Sequence, residues 1–109
     1  MDTGPASGLK EVSRVWQTLG AEDPLWAVLS LPDKRGGRWR LEEFLATGER
    51  DVAGAHGRLR RAGAAERFAA VLDFGCGVGR LARAWADRAE QVTGVDISAS
   101  MLEHARRIL

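Results

Sequence analysis

The stretch "VLDFGCGVGR", Val71 to Arg80, sets three glycines within five positions directly behind an apolar run and an acid. A backbone that bare can turn sharply and let a ligand approach without meeting a Cβ atom. The preceding run, "FAAVLDF", is short, apolar and bounded by the glycine cluster, which predicts a strand buried on both faces. Helical spacing follows from Leu81 to Arg88, with Leu81 and Trp85 one turn apart, and "QVTGVD" reads as a second short strand. Ser98 then caps a helix along which Met101, Ala105 and Ile108 align. Two strands joined through a helix pair in parallel with a right-handed crossover. The predicted class is α/β, the opening half of a doubly wound, Rossmann-like sheet.

What the loop can hold follows from the residues around it. A helix after the glycines points its free N–H groups into the same space. Asp96 stands at the end of the second strand, 21 residues after Gly75, where a carboxylate can accept from both hydroxyls of a ribose. A glycine loop alone is weak evidence, but loop, helix, strand and acid at this spacing point to an adenosine-type cofactor. Dinucleotide sites want Gly-x-Gly-x-x-Gly, whereas Gly75, Gly77 and Gly79 give Gly-x-Gly-x-Gly, with Arg80 in the last dinucleotide position. Asp73, two residues before the first glycine, would repel a pyrophosphate and suits a ligand with an ammonium group and no phosphate. S-adenosylmethionine is such a ligand.

Here the sequence resembles a known family. "VLDFGCGVG" followed by "VTGVDIS" is similar to the first motif and the ribose-binding acid of class I S-adenosylmethionine-dependent methyltransferases, and "DISASMLEHARRIL" to the segment and helix that follow. The likeness covers residues 69–109. The upstream "DPLWAVL…GRWRLEEFLATGERDV" resembles, less specifically, the helical preamble of some bacterial members. The resemblance implies a methyltransferase sheet and a cofactor site. It puts Asp73 near the methionine amine, directly or through water, with Gly75, Cys76 and Gly77 as a backbone floor beneath the methionine part. Phe74 and Gly79 belong to the same loop site. Asp96 takes the ribose hydroxyls, Ile97 packs against adenine, and Ser98 and Met101 flank that pocket. No catalytic residue is assigned and the methyl acceptor is unknown.

The N-terminal part, residues 1–63, reads as a helical segment behind a loose Gly/Pro/Ser-rich tail at 1–7, and residues 64–109 as the start of an incomplete cofactor domain. Leu9, Val12, Val15, Trp16 and Leu19 share one helical face, with Gly20 placed as its C-terminal cap. Asp23 before Pro24 opens a second helix that ends near Pro32, and "DKRGGR" is an exposed turn. From Leu41 a short helix, a break at Thr47–Gly48 and a longer helix to Gly63 are expected. Three of the four tryptophans read as helix-face core. Trp39 stands in a polar loop, so with Phe44 it is a candidate flap over the cofactor, simple packing on neighbouring helices being the alternative.

Composition closes off other classes. The 109 residues are 45% hydrophobic and 28% charged with a net charge of +1, which fits one globular domain at most. Nothing in that balance draws the chain to nucleic acid or an anionic membrane. The single Cys76 makes neither a disulfide framework nor a zinc site, and it lacks a histidine partner as a nucleophile. His56 and His104 read as packing or surface residues. No apolar run spans a bilayer and no secretory signal opens the chain, so a cytoplasmic setting is expected. Two strands leave a sheet edge uncovered and open to self-association, and the chain reads as truncated, an N-terminal fragment. Two other functions stay open, a nicotinamide-dependent Rossmann enzyme and a non-catalytic nucleotide-binding or interaction remnant.

Overall fold

The computed structural model describes residues 5–108. Helix α1 runs Pro5–Glu22 and α2 Pro24–Val28, followed by one 3₁₀ turn at Pro32–Lys34. Helix α3 spans Leu41–Arg61, strand β1 Phe68–Phe74, helix α4 Arg80–Trp85 with a 3₁₀ turn at Ala86–Arg88, strand β2 Ala89–Val95 and helix α5 Ala99–Ile108. The strands pair in parallel, with Asp73 opposite Gly94 and Phe74 opposite Val95. The predicted strand, loop, helix, strand, helix order stands.

The core gathers where the glycine loop meets the helices. Phe44 of α3, Val78 of the loop and Met101 of α5 form one buried cluster, with Trp16, Leu25, Val28, Leu29, Trp39 and Ile108 packed on it. Val78 is an apolar plug between two loop glycines, so burying it fixes the loop against the helices. Asp23 sits at the N-cap of α2 but makes no cap bond. Its carboxylate instead accepts from the amides of Gly36 at 2.7 Å and Gly37 at 3.3 Å, tying the exposed turn to α2.

Four local expectations are corrected. Helix α3 is continuous, with no break at Thr47–Gly48, because Gly48 is a contact point rather than a hinge. A Cβ there would lie 2.9 Å from the Arg80 carbonyl carbon, with the carbonyl oxygen nearer still. Arg80 also reaches back across this contact to Asp51 at 2.8 Å and to the Thr47 hydroxyl at 3.2 Å. Gly20 likewise lies inside α1, where a Cβ would meet Ser100 and approach the Met101 amide nitrogen at 3.1 Å. The stripe on α1 is packed only in its later turns, for Leu9, Val12 and Val15 are exposed while Trp16 and Leu19 are half-buried. Strand β1 is not covered on both faces, since Leu72 is 63% and Phe74 85% exposed. The described sheet has two strands, which brings too little structure to bury both sides.

The proposed flap over the cofactor is also corrected. Phe44 is wholly buried and stacks edge-on with Trp39, ring centroids 5.7 Å apart, while the Trp39 indole donates to the Leu29 carbonyl at 3.0 Å. Residues 38–48 are scaffold, and Trp39 packs like the other tryptophans.

Opposite outcomes are expected for two glycines of α3. Alanine is the better helix former by about 1 kcal/mol. At Gly54 the nearest atom to a new Cβ is the Arg58 guanidinium at 3.9 Å, so Gly54→Ala should raise the melting temperature. Gly48→Ala should lower it, because overpacking against backbone costs about 1–3 kcal/mol and exceeds the helix gain. Thermal unfolding of both variants checks the pair, and a stabilised Gly48→Ala would mean the α3–α4 contact is looser than described.

Candidate functional site

The parallel pair delivers two loops to one place. At the end of β1 the chain turns through Gly75, Gly77 and Gly79, with φ of 76°, 55° and 88°. These left-handed values are strained for any residue with a Cβ. The loop holds itself together through its own amides. Gly75 and Cys76 both donate to the Val95 carbonyl, at 2.7 and 2.9 Å, and Gly79 donates to the Cys76 carbonyl at 3.0 Å. Gly94 on β2 makes room for the Cys76 side chain, whose Sγ would lie 2.8 Å from a Cβ there.

Asp96 fastens the second loop to the first. One carboxylate oxygen accepts from the Gly77 amide at 2.8 Å, and the other from the Ser98 amide at 2.9 Å. Charge-assisted bonds of this kind are about twice as strong as neutral ones. Each oxygen keeps a further lone pair for a ligand hydroxyl. Above these loops lies a cavity of about 660 Å³. Phe74, Gly75, Cys76, Gly77, Val95, Asp96, Ile97 and Met101 line one side, and Leu9 and Trp16 of α1 and Val28 of α2 the other. Its size suits a small-molecule site, mainly apolar with one convergent acid. A Cβ on Gly75 would meet nothing within 4 Å, so the floor there is bare toward the cavity.

Seven of the ten residues singled out in the sequence therefore share this cavity: Phe74, Gly75, Cys76, Gly77, Asp96, Ile97 and Met101. Asp73, Gly79 and Ser98 do not line it. Gly79 is the N-cap of α4. Ser98 is fully buried, and its hydroxyl accepts from the Met101 amide at 3.2 Å and donates to the Trp16 carbonyl at 3.1 Å. Asp73 has one carboxylate oxygen buried with no partner among the described residues. That burial holds its carboxyl above the usual carboxylate range, outweighing the Ala82 amide and the Arg80 guanidinium, which favour the charged form.

Sequence reasoning missed Leu9, Trp16 and Val28 as cavity walls. Their helical spacing was legible, but nothing local says which site a helix will cover. Burial, aided by the charges of Asp73 and Asp96, pushes the Cys76 thiol up, so it stays protonated and is no nucleophile at neutral pH. The two histidines are structural, as read. His56 lies 2.7 Å from the Glu66 carbonyl and packs edge-on against Phe68 and Trp85, and His104 lies 3.0 Å from the Gly20 carbonyl. Among the described residues no group of His, Cys, Asp and Glu could hold a metal ion, and no helix is long and apolar enough to cross a membrane.

Comparisons with known proteins bear on the last third of the chain. Residues 71–109 match the family described as "Methyltransferase domain". A stretch of 43 residues is 56% identical to the malonyl-[acyl-carrier protein] O-methyltransferase of Enterobacter lignolyticus (strain SCF1), covering 39% of this chain and 17% of that protein. Over 40 residues the chain is 52% identical to the protein of the same name from Salmonella typhimurium (strain LT2), covering 37% of this chain and 16% of that one. The match thus spans about a sixth of the length of these curated relatives. Over residues 71–109 the chain is similar to a methyltransferase domain.

Proposed function

We propose that the cavity binds S-adenosylmethionine and that the protein takes part in transferring its methyl group to an acceptor. The observation that carries this reading is the meeting of a bare glycine floor and the Asp96 carboxylate in one apolar cavity. When bound, the cofactor supplies a methyl group on a sulfonium, already activated for transfer. Gly75, Cys76 and Gly77 would lie under its methionine part, Asp96 would accept from the ribose hydroxyls, and Ile97 would lie against the base. Asp73, outside the cavity lining, would act on the ammonium through solvent. Gly79, Ser98 and Met101 would hold the two loops in shape. The cavity walls then contribute alignment of the acceptor with the methyl group. Of the described lining residues only Asp96 and Cys76 carry an ionisable side chain, the first taken by the ribose and the second a protonated thiol, so no catalytic residue is assigned.

One observation weighs against a nicotinamide dinucleotide. A pyrophosphate needs free loop amides. Here the amides of Gly75, Cys76, Gly77 and Gly79 are all engaged within the protein. The curated relatives are named for a malonyl group on acyl-carrier protein, and a carboxyl acceptor of that kind is the first to assay here.

Calorimetry with S-adenosylhomocysteine tests the reading. Hydrogen bonds to a charged group contribute about 1.5–3 kcal/mol, so Asp96→Ala should weaken binding roughly 10- to 100-fold. Unchanged affinity would remove Asp96 from the site, and tight binding of a nicotinamide dinucleotide instead would overturn the cofactor.

Asp73 gives a second expectation, for the protein without ligand. A carboxyl raised by burial contributes stability that is full below its unfolded pKa and is lost as pH rises through its folded pKa. Over that window, just above the usual carboxylate range, wild type should lose stability relative to Asp73→Asn as pH rises. Melting curves across the window check this, and parallel pH profiles for the two proteins would contradict it.

A further inference from the structure

The wall opposite the glycine loop lies outside the matched segment 71–109 and belongs to the N-terminal helices. Its placement is fixed by a seam between α1 and the start of α5. The Ser98 hydroxyl donates to the Trp16 carbonyl at 3.1 Å, and the Ser100 hydroxyl donates to the Gln17 carbonyl at 2.9 Å. The Ser100 amide donates to the Gln17 side-chain carbonyl at 3.1 Å. One turn on, His104 lies 3.0 Å from the Gly20 carbonyl, at the point where Gly20 lets the two helices touch. These bonds tie α1 to the residues directly after Asp96 and Ile97.

The seam sets which end of the cavity each wall residue faces. Val28 belongs to the glycine side, with its Cγ2 3.4 Å from where a Gly77 Cβ would stand. Trp16 belongs to the Asp96 side, since its own carbonyl is bonded to Ser98 and both Trp16 and Ile97 line the cavity. Part of the indole packs on the buried cluster of Phe44, Val78 and Met101, which holds the ring in place, and part is left to the cavity. A ribose held at Asp96 puts the attached base next to Ile97, where the one aromatic wall residue other than Phe74 is this indole.

We propose that Trp16 is a cofactor-binding residue, its indole and the Ile97 side chain holding the adenine ring between them, with Gln17 and Ser100 as the positioning residues. The assignment rests on the reading of the cavity as an S-adenosyl site. It makes α1 part of that site, so that recognition of the base needs a helix distant in sequence from the glycine loop. An indole face suits a flat heteroaromatic ring, and base–aromatic stacking is lost when the ring is replaced by an aliphatic chain.

The test uses the full chain labelled with 5-fluorotryptophan, which carries four tryptophans and hence four ¹⁹F resonances. The Trp16 signal is identified by its absence in Trp16→Phe. On addition of S-adenosylhomocysteine that signal should shift, and by calorimetry Trp16→Leu should bind about tenfold more weakly, the loss expected for one stacking partner. Trp16→Phe, which keeps an aromatic face, should stay within about threefold of wild type on the same scale. Wild type that binds S-adenosylhomocysteine with an unmoved Trp16 resonance would overturn this inference and leave the cofactor reading intact. Binding unaltered in Trp16→Leu would do the same. Wild type that does not bind S-adenosylhomocysteine would fail the cofactor reading itself, and the assignment of Trp16 with it.

Discussion

The carboxylate of Asp96 is the constraint on which the site depends. Its two oxygens bridge the Gly77 amide of one loop and the Ser98 amide of the next, so the two loops at the end of the parallel pair form one body. The bridge satisfies two part-buried amides at once, and losing it would leave both without partners. It also uses up a loop amide that a phosphate would need. With the paired donations of Gly75 and Cys76 to the Val95 carbonyl, it turns an anion-binding type of loop into an apolar floor beside a single acid.

The rest of the structure is arranged around that body. Val78 drops from the loop into the core between Phe44 and Met101, which fastens the loop to α3 and α5. Two tight helix contacts complete the frame, Gly48 against the Arg80 backbone and Gly20 against Ser100 and Met101. Arg88 adds a paired contact to Glu49, with one nitrogen 2.6 Å from Oε1. This surface pair ties α3 to the 3₁₀ turn after α4 and contributes little on its own. The open side of the molecule is the sheet, where Leu72 and Phe74 face outward.

The strand–loop–helix–strand–helix order and most of the floor of the site were legible because they depend on local rules. Glycines at positive φ, an acid at a strand end and a serine cap announce themselves within a few residues. The errors lie where distant residues meet. Gly20 and Gly48 look like a cap and a break in the sequence, yet each is a place where another element's backbone comes close, which no local pattern encodes. Asp23 looks like a capping carboxylate and instead binds the amides of Gly36 and Gly37. Trp16 reads as plain core because its helical face is visible and its neighbour across 82 residues, Ser98, is not.

Amide hydrogen exchange at Gly77 and Ser98 tests the Asp96 bridge most directly. Asp96→Asn keeps the shape of the side chain but leaves one oxygen in place of two, so it can accept from one of the two amides and no longer with full charge. In wild type both amides should exchange slowly. In Asp96→Asn at least one of them should exchange ten times faster or more, about the effect of losing 1.4 kcal/mol of local stability, while amides in the middle of α3 stay unchanged. Equal protection of Gly77 and Ser98 in the two proteins would contradict the account, because the loops would then be held together without the carboxylate.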